Sequence, residues 1–150
     1  MLNMIKTNSK HPHFIALAKE LDTLLSVVDG DKHDYYHQFN SIDEIPYVIV
    51  AYLDNQPIAC GAIKPHNKTT VEVKRMYTHP NSRGRGLGKT ILLELQQWAK
   101  ELGFQTLLLE TGISFEPAIN LYKNNGFVQI PNYDQYKGVK DSICFQKTIV

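Results

Sequence analysis

The stretch Asn81-Ser82-Arg83-Gly84-Arg85-Gly86-Leu87-Gly88-Lys89 constrains this chain most, because it joins a strand pattern to a helix pattern through three alternate glycines. Before it, Thr69 to Thr78 alternates. Val71, Val73, Arg75 and Tyr77 point one way, and Glu72, Lys74, Met76 and Thr78 point the other. After it, Leu87, Ile91, Leu95, Trp98 and Leu102 recur at helical spacing until Gly103 closes the run. The first N–H groups of such a helix have no partner within it. Glycines remove the side chains that would hold a ligand off, and they permit the φ values that aim successive N–H groups at one point. An anion belongs in such a turn, and a phosphate is the usual one. Arg83, Arg85 and Lys89 add charge.

The rest of the chain supplies the frame. Leu2 to Thr7 reads as a strand, and Phe14, Leu17, Leu21, Leu24 and Val28 form the apolar stripe of a helix that Pro12 opens and Asp29-Gly30 stops. A short second helix is expected from His33 to Phe39. Tyr47 to Tyr52 and Ile58 to Ile63 form a hairpin around Asp54-Asn55-Gln56. Thr106 to Glu110 is a strand, Pro117 opens a helix that Gly126 ends, and two last strands flank Phe127 and Ile143 to Phe145. The order β-α-α-β-β-β-α-β-α-β-β predicts an α/β sandwich on a mixed sheet, in a single domain over residues 1–150.

Composition closes off several alternatives. Sixteen basic against fifteen acidic residues leave no overall field to draw nucleic acid or an anionic membrane, so neither is an expected partner. No run approaches the roughly 20 apolar residues of a membrane span, and the start lacks a signal-like stretch, so a cytoplasmic location is expected. Cys60 and Cys144 fit no metal or disulfide spacing. His33 and His37 stand four apart without a third ligand, and no metal is expected.

Spacing then discriminates among phosphate binders. A P-loop ending at Gly88-Lys89-Thr90 would need glycine where Arg83 stands, and a dinucleotide fingerprint fails at Lys89 or at Ile91. What fits is Arg83-x-x-Gly86-x-Gly88. The stretch Glu72-Val73-Lys74-Arg75-Met76-Tyr77-Thr78-His79-Pro80-x-x-Arg83-Gly84-x-Gly86-Leu87-Gly88 resembles the acetyl-coenzyme A motif of the GNAT superfamily of N-acetyltransferases. In register after it, Ala118-Ile119-x-Leu121-Tyr122-x-x-x-Gly126-Phe127 is similar to that superfamily's second motif. The resemblance covers about residues 45–148 and implies a mixed, mostly antiparallel sheet of six to seven strands with helices on both faces.

It also implies chemistry. Acetyl-CoA is the expected cosubstrate, its pyrophosphate held by Arg83, Gly84, Arg85, Gly86, Gly88 and Lys89. Its pantetheine arm would run along the main chain of Met76 and Thr78, and the Met76 N–H would polarise the thioester carbonyl. An alkyl ammonium with a pKa near ~10.4 must lose a proton before it can attack. Glu72 is the expected base, with Glu110 in reserve, and Tyr122 matches the tyrosine that meets the departing thiolate. Where many members carry an asparagine seven residues before that tyrosine, this chain has Phe115.

The expected activity is transfer of an acetyl group to a primary amine of a small molecule or peptide by direct attack in a ternary complex. The alternative is a regulatory CoA-binding protein without turnover. In this superfamily the acceptor is gripped by the first helices, their loop and the last hairpin, which nominates Asp31, Tyr36 and Tyr136. A homodimer is left open.

Overall fold

The computed structural model describes residues 1–29 and 44–150. Its strands are β1 (Leu2–Thr7), β2 (Tyr47–Leu53), β3 (Gln56–Pro65), β4 (Thr70–Thr78), β5 (Thr106–Gly112), β6 (Val128–Ile130) and β7 (Ser142–Thr148). The α-helices among the described residues are α1 (Pro12–Asp29), α2 (Leu87–Glu101) and α3 (Glu116–Asn124), and single turns of 3-10 helix cover Pro80–Ser82 and Asp134–Tyr136. Hydrogen-bonded strand order is β1-β2-β3-β4-β5-β7-β6, with β4 and β5 parallel and the β1–β2, β2–β3, β5–β7 and β6–β7 pairs antiparallel. This is the expected mixed, mostly antiparallel α/β sheet. The expected helix at His33 to Phe39, and the candidates Asp31 and Tyr36, lie outside the described residues.

The chain packs as two interleaved units, residues 1–64 with 74–95 and residues 65–73 with 96–150. In the first, β2 and β3 are long unbroken apolar runs because both of their faces are covered. Phe14, Leu17, Ala18 and Leu21 of α1 pack on Val48, Val50, Cys60, Ala62 and Tyr77. Gly61 points the opposite way, where a Cβ would come within 2.5 Å of Met76 Sδ and 2.8 Å of Ile91 Cγ2. Glycine there lets α2 lie close against the sheet.

The β4 alternation holds from Arg75 to Tyr77. Arg75 pairs with Asp22 of α1 and Tyr77 donates to Glu20 of α1, while Met76 lies beside Gly61 on the other face. It is interrupted, however, between Glu72 and Met76. Arg75 has a left-handed φ of 58°, so the simple two-residue period cannot be carried from one to the other. A strained residue of this kind persists only where its surroundings fix it. Here a two-pronged ion pair to Asp22 at 3.0 and 3.1 Å, on a guanidinium only 2% exposed, does so.

In the second unit, β4 pairs with β5 over three residues, Thr70–Glu72 against Thr106–Leu108. Strand β5 then continues against β7, opposing Glu110 to Cys144 and Gly112 to Ser142. On α3, Tyr122 packs edge-on to Phe127 with ring centres 5.6 Å apart and lies tilted against Phe145 at 6.3 Å.

Candidate active site

The glycine turn has the form its sequence requires. Gly84 and Gly86 take φ of 81° and 74°, a region costly for residues with a Cβ, and nothing lies within 4 Å of where either Cβ would stand. The first α2 hydrogen bond runs from the Thr90 N–H to the Gly86 carbonyl at 3.0 Å, so the N–H groups of Leu87, Gly88 and Lys89 have no acceptor within the helix. Arg83, Arg85 and Lys89 are exposed around this open backbone cradle. Arg83 also does something the sequence did not announce: its Nε donates to the Thr78 carbonyl at 3.2 Å, tying the turn back to the end of β4. Met76 has its side chain beneath Gly61, which leaves the main chain as its contribution to any ligand on the strand. The cradle therefore fits a diphosphate, as donors without intervening side chains and with cations beside them.

The expected chemical residues Glu72, Glu110 and Tyr122 belong to the second unit. Glu72 is 9% exposed, and its Oε2 accepts the phenolic hydrogen of Tyr133 at 2.5 Å. Glu110 on β5 accepts from Ser142 Oγ at 2.6 Å. Each carboxylate thus takes a hydroxyl donor from the segment running between β6 and the start of β7. That segment is braced by Asn132, whose Nδ2 donates to the carbonyls of Val139 and Ser142 at 3.0 and 3.1 Å.

Tyr122 is 6% exposed, and burial together with the Glu110 charge holds its phenol well above the ordinary tyrosine range. It is therefore a neutral O–H donor throughout the physiological range. Tyr136 is 2% exposed and stands edge-on to Tyr133 at 5.5 Å. Burial and the charges of Glu72 and Glu110 raise its phenol too. The 3-10 turn at Asp134–Tyr136 folds Tyr136 inward, its N–H donating to the Tyr133 carbonyl at 2.9 Å. Phe115, in the position of the asparagine, lays its ring 3.1 Å from where a Cβ on Gly112 would be.

His66 went unread from the sequence, and Tyr133 is one of several aromatics in the loop before the last strand. In the structure His66 Nε2 stands 3.4 Å from Asp134 Oδ2, and its ring is edge-on to Tyr133 at 6.0 Å. The only sequence signal was the three-residue spacing of Tyr133 and Tyr136, which a 3-10 turn brings to one side.

No group of three or more potential metal ligands is found among the described residues, and none of their helices is long and apolar enough to cross a membrane.

Comparison with known proteins agrees with this geometry. Residues 14–127 match the family model described as the acetyltransferase (GNAT) family. The chain is 34% identical over 102 residues to an IAA acetyltransferase of Azospirillum brasilense, a match covering 67% of each. Across four curated relatives the match spans 44–67% of their length. Among solved structures, a Klebsiella pneumoniae protein named for acyl-CoA N-acyl transfer superposes with a TM-score of 0.83 at 26% identity, covering 100% of this chain and 99% of that one. The PaiA N-acetyltransferase of Thermoplasma acidophilum, solved with coenzyme A, shares the fold at a TM-score of 0.74 and 18% identity, with 99% of each chain covered. With its motif residues, strand order and glycine cradle all in agreement, the chain belongs to the acetyltransferase (GNAT) family.

Proposed function

We propose that the chain moves an acetyl group from acetyl-CoA to a primary amine by direct attack, both substrates being bound together. The observation that carries this reading is the Gly84–Lys89 turn: positive-φ glycines with open space at their Cβ positions, opening a helix whose first N–H groups lack acceptors. Acetyl-CoA supplies the activated thioester. The N–H groups of the turn, with Arg83, Arg85 and Lys89, bind its pyrophosphate, and the main chain of Met76 and Thr78 guides its pantetheine arm.

Glu72 removes a proton from the acceptor ammonium, directly or through a water, so that the nitrogen lone pair can form the new bond to the acetyl carbon. The Met76 N–H stabilises charge developing on the carbonyl oxygen. As the carbon–sulfur bond breaks, the Tyr122 phenol, kept neutral by burial and the Glu110 charge, protonates the departing thiolate or stabilises it by a hydrogen bond.

The acceptor is a primary amine of a small molecule or peptide, and Tyr136 belongs to the acceptor side of the site. The test is incubation with acetyl-CoA and a panel of primary amines, comprising polyamines, free amino acids, aminoglycosides and lysine-bearing peptides. Thiol release and product mass are followed for the wild type, Glu72→Gln and Tyr122→Phe. Turnover that falls in both variants while acetyl-CoA binding is kept supports the reading. Acetyl-CoA binding with no acetylated product across the panel points instead to a CoA-binding regulator.

A further inference from the structure

Glu72 and Tyr133 are 61 positions apart in sequence, yet their side chains meet at 2.5 Å, the short end of the range for an O–H donor on an ionised oxygen. Tyr133 is half-buried between two other groups. The Tyr136 ring stands edge-on to it at 5.5 Å and the His66 ring at 6.0 Å, and His66 is itself paired to Asp134, the residue following Tyr133, at 3.4 Å. The ring is thus fixed from two directions while its hydroxyl engages a single carboxylate oxygen.

We propose that Tyr133 is the positioning residue of this site: its hydroxyl fixes the rotamer of the Glu72 carboxylate, and His66 with Asp134 fixes the Tyr133 ring. The inference rests on the reading of Glu72 as the base. A carboxylate side chain has three rotatable bonds, and base catalysis requires one of its oxygens to lie within hydrogen-bond reach of the acceptor proton. Clamping Oε2 removes most of that freedom before the amine arrives.

The charged surroundings are specific. Tyr136 and Cys144 also feel the Glu72 charge, and Glu110 acts on Tyr136 and Cys144 from β5. Lys74 follows two residues along β4. Burial, the Glu72 charge and the hydrogen bond to Glu72 together hold the Tyr133 phenol far above its ordinary range, so it remains a donor wherever Glu72 is ionised.

The test is a double-mutant cycle on the full chain with Tyr133→Phe, Glu72→Gln and both together, using the panel amine that the wild type turns over fastest. Tyr133→Phe is expected to lower kcat by about tenfold to about 10²-fold with the KM for acetyl-CoA unchanged, and to cost nothing further in the Glu72→Gln background. A second readout needs no acceptor. Tyrosinate absorbance during an alkaline titration should show the Tyr133 and Tyr136 phenols ionising at lower pH in Glu72→Gln than in the wild type, and one of the two should be missing from the double variant.

His66→Gln, which leaves the phenol in place, is expected to lower kcat several-fold and serves if Tyr133→Phe fails to fold. Wild-type kcat in Tyr133→Phe alongside an impaired Glu72→Gln overturns the proposal alone, as does an equal loss from Tyr133→Phe in both backgrounds. Wild-type kcat in Glu72→Gln overturns the assignment of the base and this inference with it.

Discussion

Tyr133 donates its phenolic hydrogen to Glu72 Oε2 at 2.5 Å, which places a donor from the segment before β7 on a carboxylate of β4. The equivalent bond from Ser142 to Glu110 repeats the arrangement on β5. The two acids singled out as proton acceptors are therefore both buried or half-buried and both hydrogen-bonded. Charged carboxylates are retained inside proteins under such conditions, since burial alone would disfavour their ionised forms.

Backbone conformation at the turn gives the first prediction. Gly86→Ala imposes a Cβ on a φ of 74°, a strain of roughly 1–2 kcal/mol that bears on the bound geometry of the turn. Acetyl-CoA affinity should fall by about tenfold, measured by calorimetric titration. Overall stability should fall by no more than that strain, because nothing lies within 4 Å of the added methyl group.

Gly61 behaves differently. Alanine there would drive a methyl group to 2.5 Å from Met76 Sδ and 2.8 Å from Ile91 Cγ2, and overpacking of this kind costs about 1–3 kcal/mol. Denaturant unfolding of Gly61→Ala should show that loss at an unchanged m-value.

The Asp22–Arg75 pair holds a left-handed residue inside a strand. Asp22→Asn leaves a guanidinium that is 2% exposed beside a neutral partner. Breaking buried pairs costs about 3–5 kcal/mol, and the 27% exposure of Asp22 places this one near the lower end. Thermal unfolding should shift down by roughly 6–12 °C.

Both cysteines are protected. Burial pushes the Cys60 thiol up to about 12 and the Cys144 thiol up to about 11, the Glu72 and Glu110 charges adding to the latter. Raised values leave both thiols protonated, and so unreactive, at pH 8. A disulfide reagent should label neither in the native protein and both after denaturation; rapid native labelling would contradict the packing described here.

Local features were the legible ones. The α2 stripe, the hairpin turn at Asp54-Asn55 and the glycine cradle depend on spacing within a few residues, and each stands where its pattern puts it. The family motifs likewise nominate Glu72 and Tyr122, both of which are buried. What escaped the sequence is long-range or aperiodic. Nothing near Tyr133 distinguishes it from Tyr36 or Tyr136, because its importance comes from a partner on another strand. The left-handed Arg75 was hidden because arginine carries no signal for that conformation. It is imposed by Asp22, 53 residues away.

The central claim is that the Gly84–Lys89 turn holds acetyl-CoA, and the direct measurement is thermal unfolding of the wild type titrated with acetyl-CoA and, separately, with ATP. Acetyl-CoA at ~100 times its dissociation constant should add about 2.7 kcal/mol of stability, and ATP at the same concentration should add little, since the turn lacks the P-loop spacing. No shift with acetyl-CoA, or an equal shift with ATP, would contradict the account.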